Sequence, residues 1–325
     1  VDSITQATLG AAVGEAVLGK RLGNKAAVTG AVVATIPDLD VLLTPFFNEV
    51  QKISIHRGFS HSIVFCLLLS LLLASIFKKN KAFKPVPYHR LWLFNFLALF
   101  THILLDAFTT YGTQLFLPFN NWRVSLDSIN IIDPVYTIPL LAGVLISTYF
   151  FDRSHNLRSL PNSIGIVISS LYLVFTLGNK QHVENVFNKA LQSQGILKNE
   201  LLTVPVKIGN MNWYGVAKTN DKIYLGQYNE LGNQQKISFD SFPINDHLLD
   251  GMDPYLAEKM RWFAKGFYTV AKNDDQIRIY NMQCDMQGIR KYGDYKAPTA
   301  FYFEITPLGN NQYELSTGMH KEEKD

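Results

Sequence analysis

The chain has 325 residues, 47% of them hydrophobic and 18% charged, with a formal net charge of +3 and two cysteines. Its length admits two domains. So small a charge, with no polybasic block and no nucleic-acid motif, excludes nucleic acid as a partner, and Cys66 and Cys284 are too few for a disulfide framework.

A mean hydropathy of +0.04 averages two unlike halves. Residues 1–178 hold nearly all the long apolar runs, and 179–325 are rich in Asn, Gln, Lys, Asp and Tyr. No basic region precedes the first apolar stretch, so the first membrane helix is expected to serve as its own insertion signal. Residues 4–19 read as a helix lined with small residues. In it Gly10 and Gly14 form a GxxxG pair that serves close helix packing. Glu15, in mid-helix, requires a polar partner in the bundle. After a basic turn of Lys20, Arg21 and Lys25, residues 26–36 form a second apolar segment that Pro37 ends. Both segments are shorter than the roughly 20 residues of a spanning helix. Four further apolar helices follow at 63–77, 91–108, 135–151 and 164–177. Cys66 lies inside the first of these and reads as a small core hydrophobe.

The basic loops 20–25, 78–90 and 153–158 are expected on the cytoplasmic side by the positive-inside rule. Walking the helices from there puts Asp38, Asp40, His56, His61, Asp106 and Asp133 together on the opposite face, with the C-terminal half. That half reads as soluble α+β: a helix at 181–195, strands at 202–208, 213–218, 222–228 and 236–239, a helix at 253–271 begun by an Asp-Pro cap, and strands at 276–282, 299–306 and 312–316. Asn220-Asp221 reads as a tight turn. Trp213, Tyr214, Tyr224, Tyr228, Tyr268, Tyr292, Tyr295 and Tyr302 suit strand packing. The expected architecture is an α-helical integral membrane bundle of about six apolar helices, two of them short, in 1–178. A soluble extracytoplasmic α+β domain follows in 179–325.

Chemistry concentrates at the ends of the apolar segments: Pro37-Asp38-Leu39-Asp40, His56-Arg57-Gly58-Phe59-Ser60-His61-Ser62 and His102-Ile103-Leu104-Leu105-Asp106. Histidine and aspartate beside hydrocarbon are costly unless paired or bound to a cation. His102 and Asp106, four apart on a helix, share one face. Asp38, Asp40, His56, His61, His102 and Asp106 are therefore the candidate ligands of one or two divalent ions. Imidazole with carboxylate suits zinc or manganese. For Asp133, before Pro134, a helix N-cap stands level with ligation. Arg57 either binds an anionic oxygen through its bidentate fork or pairs with a neighbouring aspartate. Thr110 and Tyr111 offer a further hydrogen bond or a helix cap.

At these residues the sequence resembles the YdjM/YbcI-type membrane proteins, also called the DUF457 group. The matching features are the Asp2-Ser3-Ile4-Thr5 opening, the three motifs above, and Thr109, Thr110, Tyr111-Gly112-Thr113 and Pro118-Phe119. The resemblance covers about residues 1–178. It implies a metal-dependent hydrolase of the inner membrane. Many such proteins carry a histidine after the opening threonine, where this chain has Gln6. Histidines and aspartates on helix faces also resemble zinc-dependent phospholipase C enzymes, which suggests a phosphoester. The expected function is hydrolysis at the outer membrane face, with Arg57 and Asp40 taking part in catalysis. The substrate would be a lipid or another amphiphilic small molecule. The rival expectations are a non-enzymatic metal-binding or transport protein and a membrane scaffold.

Overall fold

A computed structural model describes residues 1–232, 236–274, 276–283, 290–292, 295–299, 301–309 and 312–320. The chain divides into two compact units. The first comprises Val1–Phe46, Ile55–Asn179 and Lys207–Asn210, and the second Phe47–Ser54, Lys180–Val206 and Met211–Asp325.

The first unit is helical. Asp2 starts α1 (Ser3–Leu22) by accepting from the amides of Ile4 and Thr5, which satisfies two of the donors a helix start leaves free. Gly23, at φ +61°, turns the chain directly into α2 (Asn24–Ala34). The GxxxG pair of α1 faces the small residues of α2. A Cβ on Gly10 or Gly14 would overlap the backbone of Gly30 or Ala26, so glycine is what lets these helices touch. A 3-10 turn (Pro37–Phe46) follows; after α3 (Glu49–Ile55), of which all but Ile55 belongs to the second unit, come a second 3-10 turn (Phe59–His61), α4 (Ile63–Lys79), α5 (Tyr88–Ala107) and α6 (Pro134–Phe150). α1 packs on α2, α5 and α6. α7 (Ser159–Ser193) begins in this unit, and its Gly165 meets Gly143 of α6 in a second small-residue seam. Leu91, Phe94, Leu99, Ile103 and Cys66 are buried in the core.

Glu15 finds its partner 143 residues away. Arg158 Nε and a terminal nitrogen donate to its two carboxylate oxygens at 2.7 and 2.8 Å, and Arg158 also donates to Asn24 and to the Phe151 carbonyl. Asp133 caps α6, accepting from the Val135 amide at 3.0 Å and from the Tyr172 hydroxyl at 2.7 Å.

The expectation of about six apolar membrane helices is corrected. Among the described residues three stretches are long and apolar enough to cross a membrane: Asn24–Phe46, Tyr88–Ala107 and Ser159–Ser193. A fourth is added if Glu49–His61 and Ile63–Lys79, bent by 53°, count as one. The missing spans have physical causes. α1 carries Gln6, Glu15, Lys20 and Arg21 among glycines and alanines, and α6 has 17 residues. A second correction is that 164–177 and 181–195 belong to one helix, α7. Gly178 between them has open space around it, and nothing there breaks the hydrogen-bond ladder.

The second unit holds two antiparallel four-stranded sheets. One runs β1 (Glu200–Pro205), β2 (Asn212–Lys218), β3 (Lys222–Asn229) and β4 (Phe239–Pro243) in sequence order. α8 (Pro254–Phe263) follows, begun by Asp253, which accepts from the Tyr255 amide. β5 (Tyr268–Asn273), β6 (Gln276–Asn281), β9 (Phe301–Gly309) and β10 (Gln312–Met319) form the other sheet in the order β10-β9-β6-β5. β7 (Arg290–Tyr292) and β8 (Tyr295–Ala297) are a separate pair. The helix expected at 253–271 stops early. Lys265 and Gly266 take positive φ, and the β-branched and aromatic run Tyr268-Thr269-Val270 goes to β5. Trp213, Tyr214 and Tyr268 are buried as strand packing, and Gly215 leaves room for the Phe187 ring of α7 against the sheet. Cys284 and the side chains of Tyr292 and Tyr295 lie outside the described residues.

On this unit Asp246 accepts from Arg261 Nε at 3.0 Å and from the Tyr268 hydroxyl. Burial pushes the Asp246 carboxyl up, but Arg261 and Tyr268 outweigh it and hold it below the ordinary range. Burial and then Asp246 push Tyr268 up to about 12. A depressed carboxylate stabilises above its unfolded value, and the gain is lost as pH falls through the folded value. Asp246→Asn should speed amide exchange in β5 at pH 7, by the equivalent of about 0.5–1 kcal/mol for so exposed a pair. The difference from wild type should shrink as pH falls below the ordinary carboxylate range and through the lowered folded value. Equal exchange rates at pH 7 would refute the role.

Candidate metal centre

Four helix ends and turns of the first unit bring the polar motifs together. Pro37 closes α2, and the 3-10 turn after it carries Asp38 and Asp40. Arg57 sits at φ +58°, a left-handed conformation that costs a non-glycine residue about 1–2 kcal/mol. Two backbone bonds offset that cost: its amide donates to Asp40 Oδ2 at 3.1 Å, and its carbonyl accepts from the Gln114 amide at 3.2 Å. The reversal delivers His61 on the next 3-10 turn, with Ser62 capping α4. His102 and Asp106 come one turn apart from the last residues of α5.

Four donor atoms converge. His61 Nε2 lies 3.3 Å from Asp38 Oδ1, 3.4 Å from Asp106 Oδ2 and 3.3 Å from His102 Nε2. His102 Nε2 lies 3.5 Å from each of the two carboxylate oxygens. All four atoms fall within 4.8 Å of one another. A tetrahedron with ligand bonds of about 2.0–2.1 Å has edges of roughly 3.3–3.4 Å, so five of these six spacings match that size. His61, His102 and Asp106 are buried, and Asp38 is the donor with some exposure, its side chain 26% accessible. Asp106 Oδ2 is buried and accepts no hydrogen bond. Three carboxylates, Asp38, Asp40 and Asp106, face one guanidinium, Arg57, and the Val1 amino group, which leaves net negative charge for a cation to neutralise. The residues present thus fit a metal ion.

A second layer holds these donors. Asp40 Oδ2 accepts from Ser60 Oγ at 2.8 Å and stands 3.4 Å from His61 Nδ1, while Ser60 Oγ lies 2.9 Å from that same nitrogen. This is the outer-shell pattern that fixes an imidazole's orientation. Asp40 Oδ1 meets His56 Nδ1 at 3.0 Å, so Asp40 and His56 sit beside the four-donor cluster and face each other. Arg57 pairs with Asp106 Oδ1 at 3.1 Å and donates to Thr109 Oγ1 at 2.9 Å. Gln6 Nε2 donates to Asp106 Oδ1 at 3.1 Å and to the His102 carbonyl at 3.3 Å. The Val1 amino nitrogen also meets Asp106 Oδ1. Two guanidinium groups approach the Tyr111 ring, Arg57 at 5.0 Å and Arg123 at 4.7 Å from its centre.

The sequence motifs named the donors but not all of their partners. Ser60 and Thr109 lay inside quoted motifs without an assigned role. Their small hydroxyls beside His61 and Asp106 were the available signal.

The arrangement can be compared with known proteins. The family model of the YdjM inner membrane protein matches residues 1–183, which is more than half of the chain. The chain belongs to the YdjM inner membrane protein family. The YdjM match ends inside α7, so the sheets of the second unit lie beyond it. Over 181 residues the chain is 35% identical to YfhP of Bacillus subtilis, described as an uncharacterized protein, covering 54% of this chain and 53% of the relative. It is 34% identical over 109 residues to the inner membrane protein YbcI of Escherichia coli, covering 34% of this chain and 61% of the relative. The chain therefore spans less than two thirds of either of these relatives. No solved structure matches.

Proposed function

We propose that this YdjM-family chain is a membrane-bound metal-dependent hydrolase that holds one zinc or manganese ion on Asp38, His61, His102 and Asp106. The convergence of those four donor atoms at 3.3–3.5 Å carries the reading. When bound, the ion would supply Lewis acidity toward a phosphoester and make water nucleophilic near neutral pH.

The chain's own residues divide the remaining work. Asp40 and Ser60 orient His61. Arg57 holds Asp106 in place and keeps Nε, which makes no hydrogen bond of its own, for an anionic oxygen. His56, more than a third exposed and held by Asp40, is the proton carrier. Leu39, Leu42, Leu43, Phe46 and Phe59, at least half exposed, flank Asp38 and His61 in sequence. Such a rim beside the site favours an amphiphile such as a lipid or isoprenoid phosphate.

The basic turns lie at the opposite helix ends from the site, which supports an extracytoplasmic site and C-terminal unit. Transport is disfavoured because the deep carboxylate, Glu15, is occupied by Arg158.

Hydrolysis of lipid phosphates by the metal-loaded, detergent-purified protein tests the proposal. His56→Gln should keep the metal and lose about 10²–10⁴-fold in turnover, whereas His61→Ala should lose both. A structural ion is the second reading, favoured by the burial of three of the four donors. It would show as bound metal without turnover on any phosphoester, with unfolding on chelation.

A further inference from the structure

The end of the helices away from the metal centre carries a built basic cavity. Gly23 turns α1 into α2 within a single residue, its amide donating to the Gly19 carbonyl at 2.8 Å. That turn brings Lys20 and Arg21, from the last turn of α1, beside Lys25 in the first turn of α2. Arg153 follows α6, with its Cβ 3.7 Å from where a Gly23 side chain would begin. Ala82, Pro85 and Val86 form the facing wall. Lys78 Nζ pins that wall by donating to the carbonyls of Lys84 and Val86 at 2.8 Å each. The pocket, about half open to solvent, measures about 530 Å³, and its four cationic side chains are at exposed positions.

Four cations line this cavity and no carboxylate does. Among the described residues none of the four makes an ion pair. Glu15, one turn below Gly19, is saturated by Arg158 and is not available to neutralise them. Cations spread along a loop need only solvent, but four drawn into one half-enclosed cavity repel one another and favour a shared anion. At helix ends in a membrane protein the anion of matching size and depth is a phosphate group.

We propose that Lys20, Arg21, Lys25 and Arg153 form a phosphate-binding pocket, independent of the metal centre, that takes the headgroup phosphate of an anionic phospholipid or a free phosphate. Guanidinium groups from two sides supply the forked donors that phosphate oxygens match. The small side chain of Ala82 leaves the space for it.

The full chain, purified in a neutral detergent, would be titrated with short-chain phosphatidylglycerol, short-chain phosphatidylcholine and inorganic phosphate. Binding would be read as a thermal shift and by native mass spectrometry. The expected result is saturable binding of phosphatidylglycerol, at least tenfold weaker in Arg21→Gln/Lys25→Gln. The variant Lys79→Gln/Lys81→Gln, which removes the same charge from exposed positions at the end of α4 and in the loop after it, should bind as wild type does. Competition by millimolar inorganic phosphate would identify the free ion as a ligand of the same pocket. Its failure to compete would assign the pocket to the lipid. Equal binding of phosphatidylcholine, equal loss in both double variants, or no binding of either phosphate source would overturn the proposal. All four substitutions are at exposed positions, and unchanged metal content would report that the fold is intact.

Discussion

His102→Ala is expected to strip the metal from the purified protein, taking about one equivalent of zinc or manganese per chain to less than a tenth. His102 is the cleanest donor to remove. Its Nδ1 makes no hydrogen bond, and its Nε2 meets only the other three donors. Truncation therefore subtracts a ligand without breaking a separate network. Asp106→Asn should also lose the metal, but its Oδ1 pairs with Arg57, so its variant carries a stability cost of its own. Asp40→Asn tests the second layer: it keeps all four donors and removes the charge that orients His61, and should weaken the metal by about 10–100-fold. Elemental analysis gives the stoichiometry, and chelation gives an independent readout. Metal at 100 times its dissociation constant stabilises by about 2.7 kcal/mol. A chelator should therefore lower the melting temperature of wild type and leave His102→Ala unmoved. A wild type that stays metal-free after reconstitution would reduce the cluster to a hydrogen-bonded network and end the hydrolase proposal with it.

Arg158→Met should destabilise the helical unit by about 3–5 kcal/mol, because it leaves the Glu15 carboxylate buried without a counter-charge. Both side chains are at most 2% exposed, and the guanidinium also serves Asn24 and the Phe151 carbonyl. Glu15→Met should cost a comparable amount for the mirror reason. The double variant is expected to recover much of the loss, since replacing a whole buried pair by apolar groups is often neutral. Full recovery is not expected, because the Phe151 carbonyl loses its donor. Denaturant unfolding in detergent of the four proteins of this cycle gives the coupling directly. A cost below 1 kcal/mol for either single variant would show that water reaches the pair.

Much of this protein is local, and local features were legible in the chain. The caps at Asp133 and Asp253 follow from side-chain oxygens placed before helical runs. The meander of β1 to β3 follows from aromatic and β-branched runs broken by a tight turn. His102 and Asp106 share a face because four residues make just over one helical turn. All four converging donors are among the six residues that the motifs singled out. What the motifs did not separate was the inner set from the outer. The 3-10 turn decided that for the aspartates: at three residues per turn, positions two apart point about 120° apart, so Asp38 joins the cluster and Asp40 turns to His56 and to the other side of the His61 ring. The left-handed Arg57 does the same for the histidines, reversing the chain between His56 and His61.

Other features depended on residues far apart in sequence or on the sum of a whole segment. The partner of Glu15 stands 143 residues away, and no spacing rule reaches that far. Whether an apolar stretch can span depends on the length and composition of the whole helix: α1 has 20 residues but carries Gln6, Glu15, Lys20 and Arg21, α6 is apolar but has 17, and α7 absorbed two expected helices into one. Residue identity alone supplies the chemistry, which is histidine and aspartate at the ends of apolar helices. Which of their atoms meet follows from turn geometry and helix packing, because these set the direction in which each donor points.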